Sequence, residues 1–247
     1  MRNIKLALSY DGTDFQGWQT QPGCRTVQET LEKAIAELTG EPKVRVNASG
    51  RTDAGVHAVG QVVNFYSTTR HPPEVLVRAI NARLPADVVV CEATEVPQAF
   101  DANRDAKRKL YRYVIHDGDV PDPFLRRYAY HCRHKLDAGK MREAAKPLVG
   151  RHDFHSFETD WPNRMSSVRT ITHLSLNRFG EYIWLDVEAD GFLYNMVRAI
   201  AGTLVNVGRG YWPVEQVAVI LAAEDRAQAG PTAPAEGLFL MRVTYGN

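Results

Sequence analysis

Two residues of opposite charge, Arg51 and Asp53, stand two positions apart within Ser49-Gly50-Arg51-Thr52-Asp53-Ala54-Gly55-Val56-His57-Ala58. Glycines 50 and 55 permit positive φ and let another stretch of chain approach closely. Extended residues two apart project to one face, so Arg51 and Asp53 point the same way if the turn begins strand-like. An aspartate starts from a pKa of about 3.9, and a cation within reach lowers it by roughly 1–3 units. Asp53 is therefore expected to be ionised at neutral pH, which suits a nucleophile or proton acceptor and excludes a standing acid. The same residues also suit a purely structural turn, because an Asp side chain bonds the backbone two residues on. His57 either orients the carboxylate or serves packing.

A second region combines cations with rings. Between Asn103 and Lys135 there are nine Lys/Arg against four Asp, a local +5 in a chain of net charge +1. Tyr111, Tyr113, Tyr128 and Tyr130 interleave with these cations, which include Lys107, Arg108 and Lys109. Cations to hold phosphates and rings to stack bases are what single-stranded RNA recognition requires, although basic strands also occur as solvated surface. Farther on, Arg198 sits among Met196, Val197, Ala199 and Ile200. An unpaired arginine among buried neighbours is costly, so a partner such as Asp53 is expected. No Gly-x-x-x-x-Gly-Lys or Gly-x-Gly-x-x-Gly phosphate-binding turn occurs. His131-Cys132-Arg133-His134 and His152-x-x-His155 form no complete ligand set with zinc spacing. No cofactor and no metal are expected.

Gly50-Arg51-Thr52-Asp53-Ala54-Gly55-Val56-His57 resembles the active-site signature of the TruA family of tRNA pseudouridine synthases. Tyr10-Asp11-Gly12-Thr13-Asp14-Phe15-Gln16-Gly17-Trp18-Gln19, Thr26-Val27-Gln28-Glu29, Tyr111-Arg112-Tyr113, His152-Asp153-Phe154-His155-Ser156-Phe157, Asn195-Met196-Val197-Arg198 and Glu236-Gly237-Leu238-Phe239-Leu240 resemble further family blocks in order. The resemblance implies an isomerase that turns uridine into pseudouridine in the tRNA anticodon stem-loop, at positions 38–40, without a cofactor. Asp53 is then the catalytic nucleophile and Arg51 fills the space left by the flipped base. Tyr111 stacks on that base and can assist in removing the C5 proton. Arg198 pairs with the catalytic carboxylate. The family acts as a homodimer whose subunits jointly grip one tRNA. Its fold is α+β, two ferredoxin-like halves sharing a continuous, mostly antiparallel sheet with helices on one side and a central active-site cleft. One block departs from the family: Phe100-Asp101-Ala102-Asn103-Arg104-Asp105-Ala106 carries Asp101 and Asn103 where the family usually has His and Arg. The rival reading, a tRNA-binding or RNA-chaperone protein that has lost catalysis, draws its support from that departure.

Elements able to position these residues are legible in the patterning. Ile4, Leu6, Leu8 and Tyr10 alternate as a strand, and the flanks of the Asp53 turn, Val44–Ala48 and Gln61–Phe65, read as strands. Thr26 and Glu29 form a capping box before an apolar stripe that Gly40 stops. Pro73 opens a second helix with Leu76, Ile80 and Leu84, ending before Pro85. Val88–Val96 and Leu110–His116 are expected strands. A helix at 138–149, strands at 167–177 and 182–189, helices at 192–207 and 214–223, and a closing strand Leu238–Tyr245 follow. Asp225–Glu236, rich in Ala and Pro, reads as a long surface loop. The Asp117–Phe124 loop is the best boundary, dividing an N-terminal half (1–116) carrying the Asp loop from a C-terminal half (117–247) that completes the cleft. Three scattered cysteines, Cys24, Cys91 and Cys132, read as reduced thiols, and no signal-peptide core or membrane-length apolar run is present. A cytoplasmic protein is expected.

Overall fold

A computed structural model describes residues 1–159 and 166–246. In chain order the elements are β1 (Arg2–Tyr10), α1 (Val27–Thr39), β2 (Asn47–Ala48), β3 (His57–Ser67), α2 (Pro73–Asn81), β4 (Val88–Val96), β5 (Ala106–His116), β6 (Tyr130–His131), α3 (Ala138–Ala145), β7 (Gly150–Asp153), β8 (Val168–Phe179), β9 (Tyr182–Ala189), α4 (Met196–Gly208), α5 (Gln216–Ala223) and β10 (Leu238–Tyr245). The chain forms two compact units: Met1–Lys107 with the chain from Phe239 onward, and Arg108–Leu238. Both are α+β with predominantly antiparallel pairing. Among the described residues no helix is long and apolar enough to cross a membrane.

In the first unit β1 lies between β3 and β4, antiparallel to both, and β2 pairs antiparallel with β3. Strand order 4-1-3-2 with helices after β1 and β3 is the split β-α-β-β-α-β arrangement of ferredoxin-like folds. The alternation of β1 places Ile4, Leu6 and Leu8 in the core of this unit, as it does Leu31 and Ile35 of α1 and Leu76 and Ile80 of α2, all fully buried. Helix α1 begins with the Thr26 half of the expected capping box: Thr26 Oγ1 accepts the Glu29 N–H at 3.4 Å, while the Glu29 carboxylate pairs with Lys33. It ends at left-handed Gly40, whose N–H reaches the Ala36 carbonyl.

The second unit repeats the pattern. β5, α3, β8, β9 and α4 follow one another, and β9 stands between β5 and β8, antiparallel to each. β7 pairs with β8, and β6 runs parallel to the end of β5. Tyr113, Ile115, Leu185, Val187, Leu176, Met141, Ile200 and Leu204 form its core.

Several boundaries differ from the sequence expectation for local reasons. α2 ends at Asn81, and the residues after it form a turn in which Arg83 N–H and Leu84 N–H both bond the Ile80 carbonyl. α3 gives way at Lys146 to a 3-10 turn that carries Pro147, which has no N–H for the helical ladder. α4 starts only at Met196, because Asn195 is left-handed with φ 61°.

The 225–236 segment is a surface loop, as expected, and its position is fixed. It is docked on α4: Gly230 N–H donates to Thr203 Oγ1 at 2.9 Å and Ala233 N–H to the Arg198 carbonyl at 3.1 Å. A Cβ on Gly202 would collide with the Pro231 carbonyl, so α4 needs a glycine where this segment crosses it.

Candidate active site

The Asp53 turn is fixed from both sides by buried groups of the first unit. On the strand side, Gln61 is the centre. Its Oε1 accepts from Ser49 Oγ at 2.7 Å, and its Nε2 donates to the Gly50 carbonyl at 3.0 Å and toward the Tyr10 hydroxyl at 3.5 Å. Tyr10 Oη lies 2.8 Å from Thr52 Oγ1. Ser49, Thr52, Gln61 and Tyr10 are all buried, so the network is satisfied without solvent. Burial pushes the Tyr10 phenol up to about 12, keeping it a neutral hydrogen-bonding group throughout the physiological range.

On the other side, the loop after β1 grips the turn through its backbone. Trp18 N–H donates to the Thr52 carbonyl at 2.9 Å and Gly55 N–H to the Phe15 carbonyl at 3.3 Å. Two glycines make this approach possible. Gly17 has φ 87°, and a Cβ there would lie 2.8 Å from the Thr52 carbonyl oxygen. A Cβ on Gly12 would overlap the Val56 carbonyl. Within the turn, Val56 N–H bonds the Asp53 carbonyl at 3.1 Å, and Gly55 takes φ 77°. Thr52 is buried between exposed Arg51 and half-buried Asp53, the alternation expected if the turn begins strand-like.

His57 fastens the same loop. Its Nδ1 accepts the Gly12 N–H at 3.0 Å, and the ring stacks on Phe239 at 4.7 Å. Asp11 Oδ1 lies 3.1 Å from Nδ1, an ion pair only when the ring is protonated. The Gly12 bond and the Phe239 contact give His57 a part in packing and in anchoring the loop.

Tyr111 and Arg198 belong to the second unit. Strand β5 alternates, so Tyr111, Tyr113 and Ile115 are buried on one face, and Tyr111 stands opposite Val187. Its ring meets Phe192 edge-on, with centroids 5.0 Å apart. Arg198 lies in the first turn of α4. Its Nε donates to the Ala233 carbonyl at 2.7 Å and its Nη1 to Asn195 Oδ1 at 3.0 Å. Asn195 in turn donates to Thr159 Oγ1. The left-handed cap and the docked 225–236 segment thus orient this guanidinium, a support that composition alone did not announce.

The basic run of β5 is not one patch. Arg112 forms a bidentate pair with Asp186 (2.7 and 2.8 Å) and lies over the Trp184 ring. Hydrogen bonding to Asp186 raises the Arg112 pKa, so its charge is committed within the protein. Arg108 stands 3.6 Å from Glu188. Lys107 and Arg108 are exposed, whereas Lys109 is half-buried.

The departing 100–106 block is a self-contained turn. Asp101 Oδ1 accepts the Asn103 and Arg104 N–H groups at 2.9 and 2.8 Å, and Asp105 Oδ2 accepts the Asp101 N–H. The bond from Arg104 N–H leads the causes that hold the Asp101 carboxyl below its ordinary value. Asn64 Oδ1 and the Tyr245 hydroxyl tie Ala102 to the body of the unit. The histidines weighed as metal ligands contact other groups: His131 Nε2 faces the Gly118 carbonyl and His134 Nε2 faces Arg209. Among the described residues no group of three or more His, Cys, Asp or Glu is placed to hold a metal ion.

A family profile described as tRNA pseudouridine synthase matches residues 6–103 and 144–246. Arg51 and Asp53 fall in the first matched stretch and Arg198 in the second, while Tyr111 lies between them. The tRNA pseudouridine synthase A of Acetivibrio thermocellus is 46% identical over 245 residues, covering 99% of this chain and 100% of its own length. That of Moorella thermoacetica is 48% identical over 244 residues, covering 98% and 99%, and that of Bacillus licheniformis 46% identical over 245 residues, covering 99% of each. With about half its residues identical over nearly its whole length, the chain belongs to the tRNA pseudouridine synthase family.

Proposed function

We infer that this chain isomerises uridine to pseudouridine in tRNA, acting in the anticodon stem-loop at positions 38–40, with Asp53 as the catalytic carboxylate. The observation that carries the reading is the immobilised Asp53 turn, held by main-chain bonds to Phe15 and Trp18 and by the buried Tyr10–Thr52–Gln61 network. A carboxylate on such a support is preorganised for chemistry at one atom. In the reaction the bond from C1′ to N1 breaks, the base turns, and C1′ bonds to C5. The C5 proton is lost while N1 gains one, so no oxidant, phosphate donor or metal enters the balance. An ionised Asp53 serves either by adding to C1′ or by taking a proton from C2′.

The remaining roles follow the family resemblance. Extruding a stacked uridine costs a few kcal/mol. Arg51, exposed beside Asp53, fills the vacated space. Tyr111 stacks on the base, worth roughly 1–3 kcal/mol, and Arg198 supports the carboxylate's charge. The enzyme acts in the cytoplasm as a homodimer gripping one tRNA. The inactive-scaffold reading loses its one support, because the 100–106 departure is accounted for by the turn that Asp101 and Asp105 cap.

The test is incubation with unmodified tRNA transcripts and chemical mapping of pseudouridine at single-nucleotide resolution. Product confined to positions 38–40 is expected. Product elsewhere would overturn the positional assignment, and tRNA binding without product at any position would overturn the catalytic one.

A further inference from the structure

Lys109 differs from every other cation of its strand. It is two residues from Tyr111, so both side chains leave β5 on the same face, while Arg108 and Arg112 leave on the other. On that other face each arginine has an acidic partner, Glu188 and Asp186 respectively. Lys109 has no ion pair and no side-chain hydrogen bond among the described residues, yet it is half-buried.

The sheet register brings a second cation to it. Lys109 stands opposite Ala189, and Ala189 opposite Ile171. Arg169 lies two residues before Ile171 on β8, hence on the same face at the same end of the strands. Its Nη1 donates to the Ser166 and Val168 carbonyls at 3.1 and 2.6 Å. Its stem passes Gly191, where a Cβ would lie 3.5 Å from Nε. The next residue is Phe192, whose ring meets Tyr111. Burial and the nearby Arg169 charge both lower the Lys109 pKa, so the ammonium sits where its own protein does not compensate it.

Half-buried with no acidic partner of its own among the described residues, and with the Arg169 charge nearby, the Lys109 ammonium calls for an anion. Neither Lys nor Arg carries an acceptor, so the pair cannot read the mixed donor and acceptor edge of uracil. It can take the two unesterified oxygens of a phosphodiester. We propose that Lys109, with Arg169 beside it, binds the phosphodiester flanking the uridine that stacks on Tyr111 and so positions that nucleotide for reaction. This rests on the isomerase reading above. Lys109 is then a positioning contact close to the reacting nucleotide, while exposed Lys107 contributes only to general tRNA attraction.

The experiment uses tRNA assembled by ligation with a single uncharged methylphosphonate linkage on the 5′ or the 3′ side of the target uridine. Wild type, Lys109→Met and Lys109→Arg are followed in single turnover at saturating tRNA. One neutral linkage should slow wild type by about 10- to 100-fold, the size expected for a lost charge-assisted contact. Lys109→Met should be slowed comparably on natural tRNA, and the same neutral linkage should then cost it less than about 3-fold more. Lys109→Arg should recover most of the rate, and tRNA affinity should change by less than about 3-fold, since many other phosphates contribute. Independent, multiplying losses from the variant and from either linkage would overturn the proposal. So would a wild type indifferent to both neutral linkages, an arm that needs no variant to fold. Wild type inactive on natural tRNA would instead overturn the isomerase reading, and this proposal with it.

Discussion

The Asp53 turn of the first unit and the Tyr111–Arg198 region of the second are held by different means. The turn is gripped by backbone bonds from the 11–18 loop on one side and by the buried Gln61, Ser49, Tyr10 and Thr52 side chains on the other. Two glycines let the 11–18 loop approach it, and carbonyl and N–H groups of Thr52, Asp53 and Gly55 carry the bonds. In the second unit side chains do most of the holding: Asn195 orients Arg198 together with the Ala233 carbonyl, Phe192 meets Tyr111, and Asp186 engages Arg112. The difference fits the tasks proposed for each. A carboxylate that must meet one carbon atom tolerates little displacement, and main-chain clamps restrict it most. Rings and cations that receive a base and its phosphates act through stacking and charge, where side-chain adjustment is tolerable. Damage to the first region should therefore act by displacement, and damage to the second by loss of stacking or charge.

The largest effect outside Asp53 itself is expected from Gly12→Ala. Its Cβ would overlap the Val56 carbonyl, so the loop or the turn must move. An overpacked contact of this kind costs about 1–3 kcal/mol of stability, and a displacement of about 1 Å lowers the rate on the order of 100-fold. Thermal unfolding and single-turnover rates on the same preparation check both. Near wild-type rates would show that the clamp does not position Asp53.

A smaller effect is expected for Tyr111, and it separates ring from hydroxyl. Tyr111→Ala removes stacking worth roughly 1–3 kcal/mol and should weaken capture of the flipped base by about 10- to 100-fold. Tyr111→Phe keeps the ring and the edge-on contact with Phe192. A Phe variant that binds normally but turns over slowly would assign the hydroxyl to proton removal at C5. Wild-type rates for both variants would remove Tyr111 from the site.

The smallest effect belongs to the exposed cations. Lys107→Ala should flatten the slope of log affinity against log salt by about 0.7–0.9, one phosphate contact, with the saturated rate unchanged. Arg108→Ala should do less, because Glu188 already stands near that guanidinium. Salt titration of tRNA binding measures this, and unaltered slopes would mark Lys107 as merely solvated.

What the sequence disclosed follows the same division. The turn around Asp53, the Thr26 cap and the alternation of β1 are local signals dictated by short-range geometry, whereas the strand read over Val44–Ala48 shortens to Asn47–Ala48 and β3 begins at His57, ahead of the expected Gln61. The faces of β5 were only half legible. The Arg-Tyr alternation is visible in the sequence, but that Asp186 and Glu188 oppose one face while Arg169 joins the other depends on strand register across β9 and β8. The 225–236 loop was legible as a loop but its docking was not, since Ala and Pro carry no periodicity and the docking uses backbone groups against Gly202 and Thr203. Gln61 was also silent. A buried glutamine amid an apolar strand is a signal, but its partners Ser49, Gly50 and Tyr10 come from a turn and a strand that only the fold assembles.

Asp53→Asn tests the central claim most directly, because it keeps the size of the side chain and removes only the charge. Single-turnover isomerisation of unmodified tRNA should fall below detection, while tRNA affinity stays within about 3-fold of wild type, since phosphate contacts dominate binding. Turnover within about tenfold of wild type, a barrier change of only about 1.4 kcal/mol, would place the catalytic carboxylate elsewhere and contradict the account.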